Sequence, residues 1–171
     1  MRRSNRSLPR PTPAPVGPGQ ESVWDYPRPP RLEPSTRRVW VGLGGTTVAD
    51  SVRALRVLET SHPPTYYVHP DDVVDGLLTP AEGGSFCEWK GRATYWTVDT
   101  GSARVERGAW SYPDPTGRFA ALAHHVAFYP ALFACMLDDE RVEPQPGGFY
   151  GGWVSTDVVG PFKGEPGTMG W

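Results

Sequence analysis

Phe86-Cys87-Glu88-Trp89-Lys90-Gly91 runs straight into Arg92-Ala93-Thr94-Tyr95-Trp96-Thr97-Val98-Asp99, and the chain returns from Thr100-Gly101 through Ser102 to Trp110-Ser111-Tyr112-Pro113. Two aromatic and β-branched runs around a turn read as an antiparallel hairpin, which makes the chain a β protein. With Thr100-Gly101 as a two-residue turn, Asp99 stands opposite Ser102 and Tyr95 opposite Glu106. Tyr95, Arg104, Glu106 and Trp110 then share one face. Trp96, Val98, Ala103, Val105 and Ala109 share the other, which is more apolar and is the expected core side. The stretch also holds three of the seven tryptophans and one of only two lysines.

Upstream, Val39, Val41 and Leu43 alternate as in a strand, and Gly44-Gly45 turns the chain into Thr46–Asp50. Ser51–Thr60 suits a turn and then a strand, although Ala54, Leu55 and Leu58 also fit a helical face. Thr65–His69 is a short strand, Pro70-Asp71-Asp72 a helical turn with proline first and acids behind it, and residues 75–85 a loop. Downstream, Asp114-Pro115 is a helix start, and Phe119, Leu122, Ala123 and Val126 form an amphipathic stripe. Residues 126–137 are apolar on both faces, as in a buried strand. Residues 146–171 have eight glycines, five aromatics and no period, and are expected to wrap the domain irregularly.

The N-terminal part is different. Residues 1–20 combine arginine, serine and proline without an apolar pattern and are expected to be disordered. Val23-Trp24-Asp25-Tyr26-Pro27-Arg28-Pro29-Pro30 suggests an extended strap, within residues 21–37, that docks on the domain or serves as a recognition motif for another protein. The division expected is therefore a tail (1–20), a strap (21–37), a β-rich domain (38–145) and a C-terminal wrap (146–171).

Composition narrows the classes. Twenty prolines and twenty glycines in 171 residues argue for short strands and tight turns rather than a helical bundle. No stretch approaches the ~18 apolar residues of a membrane span, and no apolar run follows the basic Met1–Arg6, so a cytoplasmic protein is expected. Cys87 and Cys135 lack any partner spacing, which excludes a disulfide framework or a four-cysteine zinc site. Residues 1–38 carry eight arginines against three acids, whereas residues 39–171 carry nine basic and sixteen acidic groups. An acidic body is a poor platform for nucleic acid. Fifteen of seventeen basic residues are arginine, a bias of the kind found in high-GC bacteria. Trp89-Lys90-Gly91 and Phe162-Lys163-Gly164 are the two exceptions, read either as chance or as sites that need a compact ammonium.

Val48-Ala49-Asp50-Ser51, Leu58-Glu59-Thr60, Tyr67, Asp71-Asp72-Val73, Cys87 with Lys90-Gly91, Ala93-Thr94-Tyr95-Trp96, Ala109-Trp110-Ser111-Tyr112-Pro113 and Phe128-Tyr129 together resemble the family called domain of unknown function 427, in its actinobacterial form, from about Val39 to about Val142. The resemblance implies a compact, mainly antiparallel β domain with one or two short helices and a tent-like fold. That fold is similar to methionine sulfoxide reductase B and the drug-binding domain of cereblon. Some catalogues attach a nucleotidyltransferase label to the family. The chain has neither a Gly-Ser with paired aspartates nor a Gly-x-x-x-x-Gly-Lys phosphate loop. Glu88 stands where the family often has proline, and the zinc cysteine pairs of the tent-like relatives are missing.

Three constellations bear on function. Tyr67, Tyr95, Trp96, Trp110, Tyr112 and Tyr129 suit an aromatic pocket, with Glu59 and Lys90 fixing a small molecule; the same aromatics also suit simple core filling. Glu59 as general acid/base with Lys90 or Cys87 would make the protein an enzyme, since a nearby ammonium raises thiolate content. A cysteine without a local histidine is equally a small apolar filler. His124-His125 point ~100° apart on a helix and do not share one ion, so no metal is expected, and His125 suits a helix C-terminus. No residue pattern names a cofactor.

Overall fold

The computed structural model describes residues 8–171. In chain order the strands are β1 (Glu21–Ser22), β2 (Arg31–Pro34), β3 (Val39–Leu43), β4 (Thr46–Ser51), β5 (Leu55–Leu58), β6 (Thr65–Tyr67), β7 (Leu78–Cys87), β8 (Gly91–Asp99), β9 (Arg104–Ser111), β10 (Val126–Phe128), β11 (Ala134–Leu137), β12 (Glu140–Arg141), β13 (Glu143–Pro144), β14 (Trp153–Val154) and β15 (Val158–Val159). Short 3-10 turns at Val23–Asp25, Pro70–Asp72 and Gly117–Leu122 are the helical elements among the described residues. None of them is long and apolar enough to cross a membrane.

Mainly antiparallel sheets make up the fold: β10-β9-β8-β7, β12-β11-β3-β4 and β2-β5-β6, with the small pairs β1-β15 and β13-β14. Gly44 and Gly45, at φ 56° and 80°, form the two-residue turn of the β3–β4 hairpin, because only glycine takes two successive left-handed residues without strain. A bridge between Val68 and Val126 joins β6 to the start of β10, so the three-stranded and four-stranded sheets meet there.

The β8–β9 hairpin lies between two apolar clusters. On one face Val98, Ala109 and the edge of Trp96 pack with Val39, Val41, Val48, Cys135, Leu137 and the fully buried Trp153. On the other, Tyr95, Trp110 and Tyr112 meet Val57, Tyr67, Phe119 and Leu122. The faces are those read from alternation, but the register differs. Asp99 pairs with Arg104 across a four-residue turn closed by the Thr100 N–H on the Ala103 carbonyl (3.0 Å), and an irregularity beyond Trp96 sets Tyr95 opposite Trp110. Each slip is even, and an even slip leaves every side chain on its original face.

Other expectations are corrected. Most of the loop expected at 75–85 belongs instead to β7, an edge strand on β8 with a register break between Pro80 and Gly84. Most of its side chains are exposed on both faces, so it lacks the apolar alternation that marks a strand. The stripe Phe119–Val126 does not form an amphipathic helix capped by Asp114. The chain makes one 3-10 segment after Thr116, leaves it at Ala123, and passes through His124 (φ 63°) into β10. Phe119 and Leu122 are buried without further helical turns. His125 consequently caps no helix: its ring stacks edge-on against His69 at 5.2 Å. Residues 126–137 are two strands, β10 and β11, broken around Pro130.

Residues 21–37 lie on the domain. Val23, Trp24 and Tyr26 are buried with Leu58, Val158, Phe162 and Trp171, and the Trp24 indole donates to the Pro161 carbonyl (2.9 Å). Arg56 ties the segment down through Glu21 and Glu33, and Arg37 reaches Asp138, Glu140 and Asp157. The disordered tail expected for 1–20 lies partly outside the described residues. Residues 8–20 follow a defined path, with the Leu8 N–H on the Gly167 carbonyl, the Ala14 N–H on the Gly160 carbonyl, and Arg10 over the Trp24 ring at 5.1 Å.

Candidate functional site

A cavity of about 570 Å³ opens on the Tyr95/Trp110 face of the hairpin. Glu59, Tyr67, Cys87, Lys90, Tyr95, Trp110, Tyr112 and Tyr129, which are scattered over seventy positions of sequence, all line it. Trp96 does not. It is on the opposite side of β8, and its indole donates to Ser111 Oγ at 2.8 Å.

Each wall has a local cause. β9 presents Trp110 and, just past its end, Tyr112; β6 presents Tyr67, which is edge-on to Trp110 at 6.3 Å. Tyr129 follows β10 and tilts against Trp110 at 4.5 Å. Tyr95 on β8 shares a hydrogen bond with Ser85 on β7 (2.9 Å) and carries the Arg107 guanidinium over its ring at 4.3 Å. Burial pushes the Tyr67 and Tyr112 phenols well above their ordinary range and Tyr129 up to about 12, so all three are neutral hydroxyls at physiological pH.

Lys90 sits in the tight β7–β8 turn that ends on Gly91 at φ 95°. The turn is held from below: Thr116 Oγ1 donates to the Trp89 carbonyl (2.7 Å) and the Thr116 N–H to the Lys90 carbonyl (3.3 Å). The Lys90 side chain is 8 % exposed, yet among the described residues its ammonium has neither an ion pair nor a hydrogen bond. Nζ lies over the faces of Tyr112 (5.5 Å) and Phe119 (5.9 Å). Ring faces attract a cation by ~0.5–2 kcal/mol, so part of the ammonium's lost hydration is offset there.

Glu59, just after β5, accepts from Arg28 at 3.2 Å and faces His62 Nε2 at 3.5 Å. Gln145 fixes that histidine. Its Oε1 accepts from the Gly152 N–H (3.1 Å) and its Nε2 donates to the Lys163 carbonyl (2.7 Å), so the same amide nitrogen donates to His62 Nδ1 (3.0 Å). The His62 proton is therefore on Nε2, toward Glu59. Burial first, and then Lys163 and Arg28, push the imidazole down to about 3.

The sequence reading did not single out His62 or Gln145 for the site, nor Phe149, Tyr150 and Lys163, which the C-terminal segment adds to the lining. Lys163 Nζ lies over Tyr150 at 5.6 Å and reaches the Trp171 main-chain oxygen at 3.4 Å. Its rarity was the one available signal. Cys87 is half-buried in the wall, whereas Cys135 is in the core with its thiol pushed up to about 12 by burial. Nowhere among the described residues do three of His, Cys, Asp and Glu converge as a metal site would require. The Glu59–His62–Gln145 array can move a proton, and the Lys90 pocket can hold a negative charge.

The chain belongs to the family described as Domain of unknown function (DUF427), whose model matches residues 31–142. The matched segment contains the Tyr67–Lys90–Trp110 wall but stops short of Gln145, Phe149, Tyr150 and Lys163. No curated protein matches the chain.

Proposed function

We propose that the protein binds a small molecule in the aromatic cavity, with Lys90 and Glu59 fixing its orientation against Tyr67, Tyr95, Trp110, Tyr112 and Tyr129. One observation carries the reading: a lysine, nine-tenths buried as a residue, that lines the cavity with no carboxylate on its ammonium among the described residues. A core that merely needed filling would hold methionine or leucine there, at no desolvation cost. Aromatic walls with a few polar groups are the usual make-up of a small-ligand site. The test is a thermal-shift screen of the full chain against nucleotides and common metabolites, repeated on Lys90→Met and Glu59→Gln. A ligand at ~100 times its Kd stabilises by about 2.7 kcal/mol, so a hit is readily seen. Shifts that disappear in the variants support the reading; shifts that survive in both sink it.

The Glu59–His62 pair favours a second reading, an enzyme in which Glu59 and the neutral His62 exchange a proton with the bound molecule, assisted by Lys90 or Cys87. Product formation that is abolished in Glu59→Gln, while binding is retained, would separate it from simple binding. A partner-binding role for the 23–30 segment has less to support it, since Trp24 and Tyr26 are each 6 % exposed. We assign the protein to the cytoplasm on its two unpaired cysteines, which suit a reducing compartment.

A further inference from the structure

The chain has fifteen arginines and two lysines, and both lysines end in the same cavity. Lys90 comes from the β7–β8 turn and Lys163 from the C-terminal segment. Neither is paired with an Asp or Glu side chain among the described residues: Lys90 has only ring faces, and Lys163 a ring and, at 3.4 Å, the oxygen of Trp171. Glu59 is the single acid in the lining, and Arg28 already pairs with it from outside the cavity. His62 adds no charge, because burial and the neighbouring cations hold it neutral. The interior is thus positive, in a body whose residues 39–171 carry more acids than bases.

Shape adds to charge. Trp110, Tyr112, Tyr67 and Tyr129 supply flat apolar area with hydroxyls at the ring edges, and those hydroxyls are protonated donors. At the mouth stand Phe86 from β7 and Phe149 from the C-terminal segment, 77 % and 74 % exposed. Large exposed rings cost solvation free energy unless something covers them. A lysine's compact point charge also suits an enclosed aromatic wall where a guanidinium's planar fork needs more room.

Building on the small-molecule reading above, we infer that the ligand is an organic anion: a carboxylate or phosphate group held by Lys90 and Lys163, carried on a planar apolar body that lies against Trp110 and Tyr112. The test is isothermal titration of the full chain with four probes of similar size, namely benzoate, phenyl phosphate, benzamide and benzylamine. At least one anion is expected to bind about tenfold or more tighter than neutral benzamide, as a charge-assisted contact implies, and cationic benzylamine not at all. The two anions also distinguish a carboxylate from a phosphate site. Lys90→Met and Lys163→Met should each weaken the anion about tenfold and benzamide much less. Lys163 is only half-buried, so its variant carries the test should Lys90→Met fail to fold. Equal affinity for benzoate and benzamide overturns the anion assignment and leaves the small-molecule reading standing; anion binding untouched in both folded variants overturns the anion assignment and Lys90's part in the small-molecule reading as well. If no probe binds and no metabolite shifts the melting temperature, both are wrong.

Discussion

The two walls of the cavity are built differently. The hairpin wall, with Lys90, Tyr95, Trp110 and Tyr112, rides on two long paired strands, and its side chains are fixed by alternation along β8 and β9. The C-terminal wall, with Gln145, Phe149, Tyr150 and Lys163, has almost no regular structure. It is held by single anchors: Trp153 in the main core, the Gln145 amide with its three partners, and glycines that let backbone pass close to rings. The first wall lies inside the family segment and the second outside it. A scaffold of regular strands with an irregular partner is a common division, since loops tolerate variation that strands do not. Here the family segment supplies the aromatic side chains on β8 and β9, and the C-terminal segment supplies the irregular part of the lining.

The comparison breaks most sharply at Trp153. This side chain is fully buried, tilts against Tyr66 at 5.1 Å, and its indole donates to the Phe128 carbonyl at 3.2 Å. Trp153→Ala should cost about 3–5 kcal/mol in urea unfolding. A loss under about 1 kcal/mol would mean that the C-terminal segment is an appendage and not part of the core. The next test is at the seam between the walls. A Cβ on Gly151 would fall 2.2 Å from the Trp110 ring, so Gly151→Ala must push the indole or the segment aside. The expected cost is about 1–3 kcal/mol, together with a changed Trp110 fluorescence. Unchanged emission and stability would show the seam to be loose.

His62 gives a smaller, pH-dependent effect. Its folded pKa, pushed down to about 3, lies below the ordinary histidine value, so the unfolded chain takes up the proton first and acid favours unfolding. Stability is complete above the ordinary pKa and is lost as pH falls toward about 3, a loss on the order of 1 kcal/mol between pH 8 and pH 5.5. His125, also lowered by burial, acts in the same window with the same sign. The decisive measurement is therefore the difference between wild type and His62→Gln, which should flatten the slope in part. An identical slope would show that His62 takes up its proton equally in the folded and the unfolded chain. Asp72, held down to about 2 by Arg53, acts only at lower pH. Least affected should be Phe86→Ser and Phe149→Ser, one from each wall, within about 0.5 kcal/mol of wild type because both rings are exposed. Either one melting well below wild type would mean that its ring packs on the mouth.

Much of the hairpin wall was legible before any coordinates. Alternation placed Tyr95 and Trp110 on one face and Val98 and Ala109 on the other, and this survived a wrong turn length because both register slips were even. Edge strand β7 and the 3-10 segment at Gly117–Leu122 were not legible. An edge strand exposed on both faces leaves no period, and a stripe such as Phe119, Leu122 and Val126 looks helical even where the chain turns once and extends. For the C-terminal wall only the lone Lys163 stood out.

The sequence by itself determined the class of the protein. Its glycine and proline content, its alternating aromatic runs and its family blocks are local properties, and local properties choose between strand, turn and helix. Only the tertiary structure decided the site. It closed loops from Glu59 to Lys163 around one cavity, left Lys90 without an anion, and gave Gln145 the three contacts that set the His62 proton. Those facts depend on which distant groups meet, and no periodicity along the chain encodes a meeting between segments that lack a period.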